Sequence, residues 1–274
     1  MRAGLFPVLL LGACSPVAAP LHPPAGIVSL NPCTDAILVE VADPGQIRAL
    51  SHYSADPAAS SMDPARARRF AATSGTVEEV AALRPALVVG GTFTPPSTRK
   101  ALKDLDIPLV EVPIATTVEQ SLAEVRLIAR LAGHPERGEA LVRGIEAALA
   151  RAAPPPGAPP TSAVVWQSGG IVPGENTLIA DLLRRTGFAS LSAARGLRQA
   201  DYLPLERMLA DPPGVILAAG SAASGEDRLL VHPVLAALAR TRRAPLDPAL
   251  LWCGGPTIIR AAARLAEVRK EAAS

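Results

Sequence analysis

The chain has 274 residues, and its 27 Lys or Arg against 25 Asp or Glu leave a net charge of +2. Because the charge is small and the basic residues are scattered, the sequence argues against binding to nucleic acid or to an anionic membrane surface. At roughly 150 residues per domain, the length predicts about two domains. Only four Phe, two Trp and two Tyr are present, so an aromatic residue outside a core becomes a candidate ligand contact.

Residues 1–25 are predicted to be a signal peptide and tether. Arg2 precedes an apolar run over 5–11 that is too short to span a bilayer as a helix but suits an export signal. Two cleavage sites compete, since residues 11–14 resemble a bacterial lipobox that would lipidate Cys14, whereas 17–19 resemble an ordinary signal-peptidase site. Pro20 disfavours the ordinary site, so we favour a lipid-anchored protein in the periplasm or another extracytoplasmic location.

The next part of the chain is predicted to alternate between strands and helices. Strands are expected over 27–30, 47–50 and 109–112, and helices over 35–41 and 97–105. Thr76 and Glu79 have the spacing of a capping box, with Thr at the N-cap and Glu at N3, which leaves Glu78 facing solvent. We assign residues 26–134 to an N-terminal lobe.

A helix-turn-strand motif occurs twice, starting at Glu78 and again at Glu206. In each copy Pro stands seven positions after the Glu (85 − 78 and 213 − 206), and aliphatic residues follow. Pro ends the helix, and a continuous aliphatic run predicts a buried parallel strand. One copy in each half predicts an α/β fold of two similar lobes, each a central parallel sheet flanked by helices, with a ligand cleft between them.

One long helix is predicted to join the lobes. Apolar residues at helical spacing fill 118–132, and a helix restarts at Pro135 and ends before the Pro-rich run that begins at Pro154. We therefore assign 135–152 to a connecting helix and 153–274 to a C-terminal lobe. A helical connector resists bending, so domain closure should be small.

Cys33 and Cys253 follow the export signal and so enter an oxidising compartment. They stand 220 positions apart (253 − 33) in predicted loops. Small, buried, reduced thiols are the favoured interpretation, and a disulfide between the lobes is the alternative.

These elements together resemble the iron-chelate and vitamin B12 periplasmic binding proteins of ATP-driven (ABC) importers. The resemblance covers roughly residues 26–269 and is specific because several elements occur in the right order. It is carried by 27–32, Thr34-Asp35, Ile37-Leu38, Tyr53-Ser54, Asp56-Pro57, the two Glu motifs and the connecting helix. It implies a two-lobed fold with a bridging helix, and that Glu78 and Glu206 dock onto arginines of a membrane permease dimer.

The ligand is expected at the carboxyl ends of the strands. The candidate contacts are, from the first lobe, Asn31, Pro32, Tyr53 and Phe93, and from the second, Trp166, Gln167, Tyr202 and Trp252. Tyr53 matches a family position whose aromatic residue touches ligand. Two positions where B12 binders carry aromatics fall near Ser74 and at Gly91, which disfavours a corrinoid.

The alternatives for the ligand stay open. A ferric siderophore would want cationic partners such as Arg195, Arg198 and Arg260, and haem would want a Tyr or His axial ligand from among Tyr53, Tyr202 and His52. The four His are not at ligand-like spacing, so no metal site and no cofactor are predicted. No catalytic motif is present, so an exported enzyme or a non-transport sensor is the weaker interpretation. We expect a monomer.

Overall fold

The computed structural model describes residues 26–198, 200–220, 232–236 and 238–273. The predicted signal peptide and tether, with Cys14, lie outside the described residues.

The first lobe is built on a sheet of parallel strands in the order β3-β2-β1-β4-β5. The strands are β1 (Ile27–Ser29), β2 (Ile47–Ser51), β3 (Ala72–Thr73), β4 (Leu87–Gly91) and β5 (Leu109–Val112). β1 and β4 are buried along their whole length, as expected for central strands that helices cover on both faces. Because the strands are parallel, the turns that follow them meet at one edge of the sheet.

The second lobe repeats this plan with a parallel sheet in the order β11-β10-β6-β8. Its strands are β6 (Thr161–Gln167), β8 (Phe188–Ser190), β10 (Val215–Ala219) and β11 (Arg242–Pro245). A separate antiparallel pair, β7 (Ile171–Val172) with β9 (Asp201–Tyr202), lies outside this sheet.

Helices cover both sheets and connect them. They are α1 (Pro32–Val41), α2 (Pro64–Ala67), α3 (Val77–Ala82), α4 (Pro96–Asp104), α5 (Val118–Leu131), α6 (Pro135–Ala152), α7 (Leu178–Arg185), α8 (Leu191–Ala194), α9 (Leu205–Ala210), α10 (Pro233–Ala236) and α11 (Thr257–Ala273). The predicted α/β class with helix-flanked parallel sheets is confirmed.

The bridging helix α6 packs against α5 on one side and α11 on the other. Gly138 brings α5 and α6 close together, since a Cβ at this position would lie 2.5 Å from the Cβ of Ala129. Val142 and Ile145 of α6 are buried in a hydrophobic core that also contains residues of β1, β10 and α11. The two lobes therefore share one continuous apolar core along the bridging helix.

Polar contacts also cross between the lobes. The backbone N–H of Gly255 donates to Ser121 Oγ at 2.7 Å, and the N–H of Val118 donates to Asp181 Oδ2 at 2.9 Å. The Ser121 bond is buried, and the first turn of α5 is thus held by side chains and backbone of the second lobe. These contacts favour a fixed arrangement of the lobes.

Candidate functional site

The floor of the predicted cleft begins where β1 ends. Asn31 caps α1, since its Oδ1 accepts a hydrogen bond from the backbone N–H of Cys33 at 2.8 Å. At the end of the neighbouring strand β4, a Cβ on Gly91 would lie 2.5 Å from Asn31 Nδ2. A larger side chain at position 91, such as an aromatic one, would therefore displace the Asn31 cap. Pro32, at the first position of α1, is half-buried.

A disulfide joins the two lobes at this floor. Cys33 and Cys253 are bonded, with their Cα atoms 5.0 Å apart. The favoured prediction of two reduced thiols is wrong, because the fold brings the start of α1 against the loop before α11. The N–H of Cys253 also donates to Ser61 Oγ at 3.1 Å, and the carbonyl oxygen of Trp252 lies 3.3 Å from Cys33 Sγ. The disulfide thus fixes the backbone of Trp252 beside the first lobe.

The first lobe presents apolar side chains from the turns after its strands. Tyr53 follows β2 and is 51% exposed, and Phe93 follows β4 and is 81% exposed. Ile114, two residues after β5, is exposed as well and was not predicted as a contact. Parallel strands place these three turns at the same edge of the sheet, which we call the first-lobe wall of the predicted cleft.

Two of the aromatic residues predicted in the second lobe are exposed and one is not. Tyr202 is 56% exposed and Trp252 is 49% exposed. The Tyr202 ring lies over Gly170, where a Cβ would come within 2.5 Å of it, and Ile171 beside it is exposed. Gln167 is half-buried at the end of β6.

For Trp166, the structure contradicts the predicted ligand contact. Its side chain is fully buried, and it packs in an apolar cluster with Val172, Leu203 and Met208. The indole N–H donates to the carbonyl oxygen of Leu203 at 3.2 Å, which satisfies its one polar group. A buried side chain offers no surface to a ligand, so the predicted ligand contact of Trp166 is wrong.

A buried carboxyl lies beneath the first-lobe wall. Asp35, in the first turn of α1, accepts hydrogen bonds at Oδ2 from Ser51 N (2.9 Å) and Ser54 Oγ (2.6 Å). Burial raises the pKa of the Asp35 carboxyl to about 8, and hydrogen bonds from serines lower it only in part. Sequence reasoning missed a role for this group, although an acidic residue directly before the apolar run Ala36-Ile37-Leu38-Val39 was a visible signal.

The two motif glutamates occupy equivalent places in the two lobes. Glu78 lies in the first turn of α3, which leads into β4, and Glu206 lies in the first turn of α9, which leads into β10. Both are exposed, and neither side chain forms a hydrogen bond or ion pair with another described residue. Each carboxylate is therefore available to an outside partner.

The predicted capping box is only half formed. Thr76 Oγ1 accepts from Glu79 N at 3.4 Å, but the Glu79 carboxylate turns to the preceding loop and accepts from Ser74 N at 2.7 Å and Thr73 Oγ1 at 2.8 Å. These hydrogen bonds lower the pKa of Glu79. Glu79 is thus engaged within the lobe, unlike its neighbour Glu78.

Two of the arginines considered for a siderophore are engaged elsewhere. Arg195 pairs with Asp211 at 2.6 Å, and Arg260 donates to the carbonyl oxygen of Ser61. His52 has its Nδ1 3.2 Å from the carbonyl oxygen of Thr73, and its ring lies 4.0 Å from that of Tyr53. Within the described part of the chain, no three His, Cys, Asp or Glu residues are grouped to hold a metal ion.

The fold is that of a two-lobed α/β protein with helix-flanked parallel sheets. A model of the periplasmic binding protein family matches residues 27–248, so the chain belongs to that family. Membership implies a periplasmic location and a binding rather than an enzymatic role. Nowhere in the described ranges does a helix combine the length and apolarity needed to cross a membrane.

Solved structures with the same fold include binders of haem and of vitamin B12. The periplasmic haem-binding protein RhuT from Roseiflexus sp. RS-1, in apo form, has a TM-score of 0.70 and 22% identity, over 91% of this chain and 99% of that one. The vitamin B12-binding protein BtuF of Vibrio cholerae has a TM-score of 0.71 and 17% identity, over 92% and 99%. The haem-binding protein HutB of Vibrio cholerae has a TM-score of 0.73 and 15% identity, over 89% of this chain and 98% of that one. No curated protein matches the sequence.

Proposed function

We propose that this protein is the substrate-binding component of an ABC importer, and that its cleft captures a metal chelate with a flat, largely apolar body, such as haem or a corrinoid. The observation that supports the proposal is that both lobes expose aromatic side chains near the predicted cleft. Tyr53 and Phe93 are exposed in the first lobe, and Tyr202 and Trp252 in the second. Aromatic faces stack on planar ring systems with about 0.5–1.5 kcal/mol beyond the burial of area.

Among the candidate ligands, a tetrapyrrole fits these walls better than a ferric siderophore. A siderophore needs cationic or hydrogen-bonding partners, and of the three arginines considered, Arg195 and Arg260 are held by Asp211 and by the Ser61 carbonyl, which leaves only the exposed Arg198. For haem, the candidate axial ligands are Tyr53, Tyr202 and His52, all of them exposed. His52 Nδ1 lies 3.2 Å from the Thr73 carbonyl oxygen, which leaves its Nε2 to coordinate iron. For a corrinoid, Gly91 leaves one wall without the aromatic residue that B12 binders carry there.

Tryptophan fluorescence tests this proposal, because the chain has two Trp in opposite environments. Haemin, cyanocobalamin, cobinamide and a ferric hydroxamate siderophore are titrated separately. We expect haemin or a corrinoid to quench fluorescence saturably, and Trp252→Phe to weaken the affinity for the ligand while Trp166→Phe leaves the quenching of Trp252 in place. A ligand at 100 times its dissociation constant should also stabilise the fold by about 2.7 kcal/mol. If no compound in the panel quenches or stabilises, the proposal fails.

The second half of the proposal is that Glu78 and Glu206 orient the protein on the permease. Two free carboxylates at matched positions of the two lobes can pair with cations on a partner, which gives specificity and association rate more than affinity. The simpler alternative is that each only interacts favourably with its helix N-terminus, worth about 0.3–1 kcal/mol.

A transport assay distinguishes docking on the permease from a merely local interaction with the helix N-terminus. In cells that carry the cognate permease, we expect the double variant Glu78→Ala/Glu206→Ala to lose import while the purified protein keeps its ligand affinity. Glu136→Ala, an exposed glutamate in the first turn of α6, is the matched control and should leave import unchanged. Normal import by the double variant would refute docking through these residues.

A further inference from the structure

Asp35 lies buried beneath the first-lobe wall, and the proposed ligand contacts do not explain why a carboxyl is there. Its side chain is completely buried in the first turn of α1, four residues after the cap Asn31. A carboxyl is costly to bury, and buried polar groups are kept where they make specific hydrogen bonds. The residues that Asp35 binds therefore indicate what it does.

The two donors to Asp35 Oδ2 lie in the turn that carries Tyr53. Oδ2 accepts from the backbone N–H of Ser51, two residues before Tyr53, and from the hydroxyl of Ser54, one residue after it. Inside the turn, the N–H of Tyr53 donates to Ser51 Oγ at 3.4 Å. One buried oxygen thus holds both ends of the short helical turn His52–Ala55.

The other oxygen of the carboxyl, Oδ1, is buried and accepts no hydrogen bond of good geometry from a described residue. The Ser29 hydroxyl at the end of β1 is nevertheless near enough to lower the pKa of the carboxyl. The two hydrogen bonds at Oδ2 both come from the Tyr53 turn, and a side chain with a single acceptor in the place of Oδ2 should keep them.

We propose that Asp35 is a positioning residue, which fixes the turn 51–54 and so holds Tyr53 ready in the cleft before ligand arrives. This inference rests on the proposed capture of a chelate by the cleft. A side chain that is already ordered loses less entropy when ligand binds, so a fixed Tyr53 raises affinity without a new contact. The role is distinct from ligand contact, because a completely buried carboxyl cannot reach the ligand.

Three variants test the role by titration with haemin and, separately, with cyanocobalamin. Asp35→Ala removes both acceptor interactions and should weaken binding about tenfold or more, whereas Asp35→Asn keeps an oxygen in place of Oδ2 and should stay within about threefold of wild type. Ser54→Ala removes one donor and should fall between them. Asp56→Asn, an exposed carboxylate beside the same turn, is the matched control and should bind normally.

A double-mutant cycle shows whether Asp35 acts through Tyr53. Once Tyr53 is Ala, Asp35→Ala should cost less than about twofold further in affinity. Additive losses would overturn the proposal, because Asp35 would then support the site by some other route. If Asp35→Ala does not fold, the same cycle is run with Ser54→Ala.

Hydrogen exchange of the protein without ligand separates this inference from the proposed function. The amide of Ser51 should exchange faster in Asp35→Ala than in Asp35→Asn, and the amides of β4 should be unchanged. Unchanged exchange at Ser51 would overturn the positioning role even if haemin binds. If the wild type binds neither haemin nor cyanocobalamin, the proposed function fails, and the exchange result still decides whether Asp35 fixes the turn.

Discussion

The two walls of the cleft are built in different ways. The first-lobe wall consists of turns that directly follow parallel strands, and a buried carboxyl holds one of these turns from below. The second-lobe wall consists of the separate pair β7 and β9 and of the loop before α11, which a disulfide ties to the opposite lobe. The exposure of side chains on the first-lobe wall thus follows from the order of the parallel strands. On the second-lobe wall it depends on contacts between residues far apart in the chain, such as the disulfide.

The largest expected effect distinguishes the two tryptophans. Trp166→Ala should destabilise the protein by about 3–5 kcal/mol, because it leaves a cavity in the apolar cluster of the second lobe. Trp252→Ala removes a half-exposed side chain and should cost less than about 1 kcal/mol. Urea unfolding of both variants measures the difference. Equal losses would mean that the two side chains are packed alike, against the assignment of Trp252 to the cleft surface.

The next effect concerns the Cys33–Cys253 disulfide, which joins the two lobes. Replacing both Cys33 and Cys253 with Ser should lower the free energy of unfolding by about 2–5 kcal/mol, since the bond closes a long loop. Denaturant unfolding with and without reductant measures this loss. Reductant should destabilise the wild type and leave the double variant unaffected. A wild type that is insensitive to reductant under unfolding conditions would contradict the disulfide.

The third effect is a pH dependence of the free energy of unfolding, which comes from Asp35 beneath the first-lobe wall. With a pKa of about 8 when folded and about 3.9 when unfolded, Asp35 keeps a proton in the native state that the unfolded chain releases. The resulting stabilisation is fully present below about pH 4 and is lost as pH rises through about 8. Asp35→Asn should therefore gain stability relative to the wild type as pH increases across this range.

Unfolding curves at several pH values test this prediction. The difference between wild type and variant removes the contributions of other groups, such as Glu124, whose pKa burial raises to about 7. A difference that is constant between pH 4 and 9 would show that Asp35 is ionised in the folded protein.

The smallest effect tests the close approach of β1 and β4. Gly91→Ala should push the Asn31 side chain away from its capping position and cost about 0.5–2 kcal/mol, the usual loss when an N-cap is removed. Gly45→Ala is the control, because a Cβ there meets no atom within 4 Å. Thermal unfolding of the two variants compares them directly. Equal melting temperatures would mean that Asn31 adjusts without losing its bond to Cys33.

Most of the fold could be predicted because its signals are local. Pro135 and the apolar spacing after it mark the bridging helix, and continuous aliphatic runs mark the buried strands β4 and β10. The exposure of Tyr53 and Phe93 also follows from local signals, since each stands shortly after such a strand. That they touch ligand stays a prediction.

The rest of the site could not be predicted because it depends on what lies across the fold. Trp166 belongs to a strand that is buried on both faces, so its sequence position does not tell whether it faces the cleft or the core. The Cys33–Cys253 bond joins residues far apart in the chain, and only the packing of the lobes brings them together. The bonds of Asp35 likewise require knowledge of where the turn after β2 lies.

The disulfide also changes the connectivity of the molecule. With Cys33 and Cys253 bonded, the backbone between them is a covalent ring that includes the bridging helix, most of both lobes and the residues of both cleft walls. A single proteolytic cut within the ring would leave one molecule instead of two fragments. Such a nicked protein would keep both halves of its predicted binding site together.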